Sequence, residues 1–366
     1  MTTDRELTGR PRVVLIHAYS RANSGDGLLV DESAELVREA FPGARIDLVA
    51  LAPDTFPEFP DALHPLYGRR GASAKALARA AAGRLHPTVQ DEIARADLVI
   101  AVGGGYLRAD TVRGFVKTSL AHLPQLPSSP ASPPFIYLPQ SIGPFPGSGR
   151  MLRDLRNARH VYVRDDLSRS LLRKNGVLAE RMPDLALLSR ELGDGSPATG
   201  QGFGLIARQL GRKSSRYDAA ILALRDALDA RPLVQSSGRG NDDPAYYQRL
   251  GLGTGHAAVA DALSGTDRPS VVVSVRLHGS LQSLHRGTPT IHLSYERKGW
   301  GAFEDLGLGA YVHSARHFDV DAVAEQARAL AEDPSDYWAA VEDAKVHLRD
   351  ARARLVASLR DMARNS

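Results

Sequence analysis

The sequence predicts an α/β protein of two Rossmann-like domains facing a cleft, with an amphipathic helix at its C-terminal end. Three observations predict it. Short apolar, β-branched runs alternate with amphipathic stretches along the chain, as parallel sheets covered by helices require. At 366 residues the chain exceeds what one hydrophobic core usually holds. Residues 189–202, SRELGDGSPATGQG, hold four glycines and a proline and separate two such alternations. The expected division is residues 1–190, residues 200–334, and a helix over 335–366 that packs back on the domains.

The elements run in order. PRVVLIHAY is a strand, the loop SRANSGDG leads into the amphipathic LLVDESAELVREAF, and ARIDLVALA is a second strand. PDTFPEFPDALHPLYG is Pro-rich and therefore a loop. Helical stretches over about 72–86 and 87–95 precede DLVIAVGGG, a strand that ends in glycines. LPQLPSSPASPP cannot be helical and feeds the strand FIYLPQ. HVYVRD is a strand, and SRSLLRKNG is a helix stopped by Gly176. Beyond the break, FGLIAR, RPLVQSS, SVVVSV, PTIHLSY and GAYVHSA read as strands with helices between them. Trp338, Val341, Leu348, Leu355, Leu359 and Met362 recur at near-helical spacing and define the last helix.

Composition narrows the function classes. Hydrophobic residues at 43% and charged residues at 24% are those of a folded globular chain. There is no cysteine, which excludes disulfides, thiolate metal sites and a cysteine nucleophile. The opening MTTDRELTGRPR lacks an apolar signal region, so a cytoplasmic location is expected. The net charge is +4, and with six lysines the 46 basic residues include 46 − 6 = 40 arginines. That excess would draw anionic substrates, or bring the chain to the anionic inner face of a plasma membrane. No nucleic-acid motif accompanies it, so nucleic acid is not an expected partner. HExxH, P-loop, GxGxxG and GxSxG motifs are all missing.

In open α/β sheets ligands sit at the carboxyl ends of strands, which gives those positions the most weight. The first strand leads to Asn23, Ser24, Gly25, Asp26 and Gly27, a tight turn whose amides could attract an anion. Asp26 reads either as a functional acid or as a helix cap. Gly103, Gly104 and Gly105 permit close approach of a ligand, or simply a tight turn. Ser141–Pro144 is another small rigid turn. Arg164 could hold a phosphate or carboxylate bidentately, or pair with Asp165 or Asp184. Arg208 carries the same two readings. Arg276 and His278 flank Leu277 and would share one side if the strand persisted. Gly279 and Ser280, read as the opening of the next helix, would add amides and the positive dipole end. Imidazoles exchange protons near neutral pH, which suits His278 to proton transfer. Lys298 comes after the strand TIHLSY. His285 and His292 lack such company and read as structural. Tyr67, Tyr106 and Trp300 could equally be packing residues.

Taken together, NxGD (Asn23–Asp26), GGG (103–105), SIGP (141–144), VRDxxS (163–168), PDLAL (183–187), RLHG (276–279) and YxxK (Tyr295, Lys298) with LGL (306–308) resemble the polysaccharide pyruvyltransferase family. The resemblance spans about residues 13–310, and residues 209–268 align with nothing in it. It implies a GT-B-like fold and no cofactor, phosphoenolpyruvate being a co-substrate. Pyruvate would pass to two hydroxyls of one sugar in a surface polysaccharide, glycolipid or lipid-linked precursor, giving a cyclic ketal and phosphate. The family's functional residues fall on Arg164, Arg276, His278 and Lys298. Arg164, Arg276 and Lys298 would hold donor charge, with Asn23, Gly104, Gly105, Arg208, Gly279 and Ser280 around them. His278 would transfer the proton, with Asp26, Asp184 or Glu296 as a second acid or base. Two rival readings share the architecture: a GT-B glycosyltransferase using a nucleotide sugar, and a non-catalytic glycan-binding protein.

Overall fold

The structure is a computed structural model that describes residues 10–69, 71, 73–109, 111–129, 131–190, 192, 200–211, 215–238 and 241–364. Residues 191 and 193–199 of the expected linker lie outside this set. The chain forms two compact units: Met1–Arg21 with Asp26–Leu185 and Asp350–Ser366, and Ala22–Gly25 with Ala186–Arg349.

The first unit is built on β1 (Arg12–Ala18), helix α1 (Ser24–Ala40, whose first residues group with the second unit), β2 (Arg45–Ala50), α2 (Ala74–Ala81), α3 (Pro87–Ala94) and β3 (Leu98–Ala101). It continues through β4 (Gly104–Leu107), α4 (Val112–Lys117), β5 (Phe135–Ile142), α5 (Gly149–Leu155), β6 (His160–Val163), α6 (Asp166–Lys174) and β7 (Glu180–Arg181). The strands pair in the order β2-β1-β3-β5-β6-β7, with β4 also on β5, and every pairing is parallel. All eight residues of β5 are buried, which is why FIYLPQSI reads as a continuous run rather than an alternating one. Pro139 cannot donate to a ladder, and the β5–β6 register shifts between Tyr137↔Val161 and Gln140↔Val163 around it. A second irregularity lies between Leu15 and Ala18 of β1, where His17 takes φ 69°.

The second unit runs β8 (Phe203–Ile206), α7 (Ser215–Leu228), β9 (Arg231–Pro232), a short hairpin of β10 (Ser237–Gly238) and β11 (Asn241–Asp242), α8 (Asp243–Arg249), α9 (Val259–Ser264) and β12 (Val271–Ser274). Then come α10 (Leu277–His285), β13 (Thr290–Ser294), α11 (Arg297–Asp305), β14 (Val312–Ser314), α12 (Val320–Glu332) and α13 (Ser335–Arg364). Its parallel sheet is ordered β14-β13-β12-β8-β9. Val271, Val272 and Val273 are fully buried, each stabilising the sheet by about 1.5–3 kcal/mol relative to exposure. Pro232 sits in the edge strand, where a missing amide costs no central hydrogen bond. Tyr337 of α13 is buried and exchanges hydrogen bonds with Thr290, accepting from its amide at 3.1 Å and donating to its carbonyl at 3.0 Å. The later part of α13 belongs to the first unit, where Arg352 meets Glu39 at 2.9 Å and Tyr162 meets Ser358 at 2.8 Å.

Both sheets reverse direction beside their first strand, between β1 and β3 and between β8 and β12. Such a switch point opens a crevice at the carboxyl ends of the flanking strands. Those ends lead to His17 and Gly103 in one unit, and to Arg208 and Arg276 in the other.

Candidate functional site

In the second unit β8 ends at Ile206, and a buried tyrosine fixes the chain just beyond it. Tyr247 Oη accepts from the Ala207 amide at 2.8 Å and donates to the Leu233 carbonyl at 2.8 Å, tying the ends of β8 and β9 together. Arg208 leaves from that anchor and donates through Nη1 to Tyr295 Oη at 2.9 Å, its guanidinium lying 5.3 Å from the Tyr295 ring centre.

β12 ends at Ser274, so Arg276 and His278 do not share a strand face. The expected helix start also moves: α10 opens at Leu277, Arg276 is its N-cap residue, and His278 lies in the first turn. Ser274 stops the strand by using its own hydroxyl, which donates to the Arg276 carbonyl at 2.8 Å and accepts from the Arg276 amide at 3.1 Å. Arg276 then turns to Asp243, with Nε 3.0 Å from Oδ1 and Nη2 on the same oxygen. Nη1 has no protein acceptor among the described residues. Asp243 is fully buried, and its other oxygen accepts from the amides of Gln235 at 3.1 Å and Ser236 at 2.9 Å. Burial raises the Asp243 pKa above the ordinary carboxylate value, a trend opposed by the Arg276 charge and these hydrogen bonds. Arg208, Arg276 and Arg249 line one cavity of about 590 Å³ together with Asp242, Asp243 and Tyr246.

His278 is half-buried, and its ring rests on Gly25. The segment carrying Gly25 is stitched to β9's continuation: the Ser24 amide donates to the Gln235 carbonyl at 3.2 Å, and Gln235 Nε2 donates to Asn23 Oδ1 at 3.3 Å. Ser24 Oγ also donates to Gln282 of α10 at 3.0 Å. Asn23 therefore holds the turn, its side chain accepting from the Gly25 amide at 3.3 Å. Gly279 and Ser280 point into the fold. A Cβ on Gly279 would stand 2.6 Å from Gln235 Oε1, and Ser280 has its amide on the Arg276 carbonyl at 3.0 Å and its hydroxyl 3.2 Å from His292 Nδ1. The Gly279 amide lies in the first turn of α10, among those a helix leaves without an internal partner, while the Ser280 amide is already used inside the helix. His292 Nδ1 donates to the Ser274 carbonyl at 3.0 Å, and His285 Nε2 to the Ala186 carbonyl at 2.7 Å. Lys298 is the second residue of α11, immediately past β13, and its side chain lies outside the described set.

In the first unit Arg164 is 5% exposed and makes the ion pair of its second reading: Nη1 pairs with Asp184, and Nε donates to Ser141 Oγ at 3.1 Å. Asp165 is the N-cap of α6, accepting from the Ser168 amide at 2.9 Å. Gly105 lies beside Arg164, its would-be Cβ 3.7 Å from Nη2. Gly104 has φ 142°, and a Cβ there would meet the Tyr106 ring at 2.6 Å, so glycine is required for the ring to fold back. Tyr106 Oη donates to Asp26 Oδ1 at 3.3 Å, and burial with the Asp26 charge raises the tyrosine pKa well above its usual value. Asp26 stands in the first turn of α1 instead of capping it.

Sequence reasoning missed the polar cluster behind these groups. His17 and His122 are fully buried with their Nδ1 atoms 3.3 Å apart. Tyr106 stacks on His122 at 5.5 Å between ring centres, and the His17 ring lies 5.5 Å from that of Tyr137. Burial lowers the His17 pKa from 6.5 to about 3 and that of His122 well below its ordinary value. Gln140, also fully buried, has no partner for either amide atom among the described residues. The available signal was a polar residue inside an apolar run, as in LIHAYS and YLPQS.

Among the described residues, no group of three or more histidines, aspartates or glutamates could hold a metal ion, and no helix is long and apolar enough to cross a membrane.

The family profile for polysaccharide pyruvyl transferase matches residues 23–297, most of the chain. The protein belongs to that family. A search of curated proteins returned no significant match. Among solved structures, a putative UDP-N-acetylglucosamine 2-epimerase from Listeria monocytogenes is 12% identical, with 96% of each chain covered and a TM-score of 0.52. UGT89C1 of Arabidopsis thaliana complexed with UDP is 10% identical, with 96% of this chain and 100% of that one covered and a TM-score of 0.53. At such identities the likeness shows a fold. This polysaccharide pyruvyl transferase family member is accordingly GT-B-like, an α/β chain with two parallel sheets and a long C-terminal helix.

Proposed function

We propose that this family member moves pyruvate from phosphoenolpyruvate to two hydroxyls of one sugar, forming a cyclic ketal and releasing phosphate. The sugar belongs to a surface polysaccharide, a glycolipid or a lipid-linked precursor. The observation that carries the reading is the cavity at the second unit's switch point, where Arg208 and Arg276 meet from the ends of β8 and β12. Phosphoenolpyruvate bears a phosphate and a carboxylate on three carbons, so its site needs several cations close together, and guanidinium groups match both anions bidentately.

His278 is assigned the proton transfers. A proton added to the methylene carbon leaves cationic character at C2. One sugar hydroxyl adds there and gives up its proton, replacing the proton consumed. The bond from C2 to the phosphate oxygen then breaks, the second hydroxyl closes the ring, and its proton leaves with phosphate. Arg276, Arg208 and Lys298 neutralise the donor and then the departing phosphate. Arg164 is assigned donor charge on the resemblance, and Asp26 is the candidate second acid or base.

Thermal shift tests the donor assignment. Phosphoenolpyruvate should raise the melting temperature, and the shift should disappear in Arg276→Gln. A shift with UDP or UDP-sugars and none with phosphoenolpyruvate would favour a nucleotide-sugar glycosyltransferase instead.

A further inference from the structure

We propose that Asp243 is a positioning residue for the donor: it fixes Arg276 so that Nη1 is presented to the cavity. The inference rests on the reading of that cavity as the phosphoenolpyruvate site.

The two carboxylate oxygens of Asp243 do different work. Oδ1 accepts from Nε and Nη2 of Arg276, which leaves both N–H groups of Nη1 and one of Nη2 for a ligand. Oδ2 accepts from two consecutive backbone amides, Gln235 and Ser236, so the carboxylate cannot rotate away from the arginine. The Asp243 amide donates in turn to the Ser236 carbonyl at 2.9 Å, closing the grip on that segment. The neighbouring acid is used otherwise: Asp242 caps α8, accepting from the Ala245 amide at 3.0 Å. Asp243 is thus free of capping duty, fully buried, and on the wall of the same cavity as the arginine it holds.

A buried arginine with one carboxylate partner is held in a narrow range of rotamers, and a bound anion then does not have to order it. Without the carboxylate, the guanidinium would have to find its pose at the moment of binding. Asparagine cannot replace it, because its one acceptor oxygen must serve either the two amides or the arginine.

A double-mutant cycle on KM for phosphoenolpyruvate tests this, with phosphate release as the assay and wild type as the control. Asp243→Asn should raise KM roughly 10- to 100-fold, the size of one charge-assisted hydrogen bond. Asp243→Glu, which keeps the charge, should recover part of that loss. Added to Arg276→Gln, Asp243→Asn should change KM by no more than about twofold, since its effect runs through the arginine. Should Asp243→Asn alone fail to fold, that comparison still decides, because a neutralised buried pair is tolerated better than a broken one. A further large rise in KM on the Arg276→Gln background, or a folded Asp243→Asn with wild-type KM, overturns the inference while leaving the donor reading intact. A wild-type protein that releases no phosphate from phosphoenolpyruvate overturns the reading itself.

Discussion

The imidazole of His278 lies so close to Gly25 that a Cβ added there would stand 2.6 Å from both Cβ and Nδ1 of the histidine. Real Cβ atoms do not approach that closely, so the turn after the first strand needs glycine to seat His278. Alanine has the better helix propensity, and Gly25 lies at the start of α1, so Gly25→Ala should not cost helix stability. It should displace His278 and lower turnover by roughly tenfold or more, short of losing a general acid or base outright. Steady-state kinetics beside a melting curve checks this. An unchanged kcat would mean that the seat of His278 does not matter.

Removing the imidazole should cost more. His278→Ala should lose about 10²–10⁴ in turnover, the usual worth of a general acid or base. The side chain is half-buried and its helix is held by Leu277, Leu281 and Leu284, so the far-UV spectrum should be unchanged. Near-wild-type turnover in this variant would discard His278 as the proton-transfer residue.

Arg164 and Asp184 form an ion pair whose side chains are only 3% and 2% exposed. Removing one partner of such a pair strands a buried charge and typically costs about 3–5 kcal/mol. Arg164→Ala should therefore show a loss of that size in urea unfolding, apart from any effect on activity. A loss below about 1 kcal/mol would show that the remaining aspartate is easily solvated.

The buried His17–His122 pair predicts acid sensitivity. Burial lowers the folded pKa of His17 from 6.5 to about 3, so the unfolded chain takes up the proton first as pH falls. The stability contributed by this neutral imidazole is fully present above pH 6.5 and is lost as pH falls toward 3. Melting temperature should drop steadily from about pH 7 to about pH 4, and less steeply in His17→Asn if that variant folds. Equal slopes in the two proteins would show that His17 titrates as freely folded as unfolded.

Much of the architecture could be read from the sequence because its strands are short and buried on both faces. SVVVSV, PTIHLSY, FIYLPQ and HVYV each gave a strand of the parallel sheets. β4 was missed because GGYL is half glycine, and α4 and α5 because they are one or two turns long with glycine inside or at their start. The chain divides after Leu185, and Ala22–Gly25 groups with the second unit, a pattern made by contacts more than 200 residues apart. Local composition carries no trace of such contacts. Arg276 and His278 were legible as strand-end residues, yet the shared strand face expected of them does not exist, because Ser274 ends the strand with its own hydroxyl. Asp243 belongs to no motif in the sequence, and only the fold brings it to Arg276, 33 residues along the chain.

The central claim is that the cations at the second sheet's switch point serve phosphoenolpyruvate. Phosphate release from phosphoenolpyruvate, followed against a panel of pyranoside acceptors with mass analysis of the product, tests it most directly. The expected result is acceptor-dependent release of phosphate, one per ketal formed, with KM for phosphoenolpyruvate raised in Arg276→Gln. A protein that binds or turns over a nucleotide sugar, and releases no phosphate from phosphoenolpyruvate with any acceptor, would contradict it.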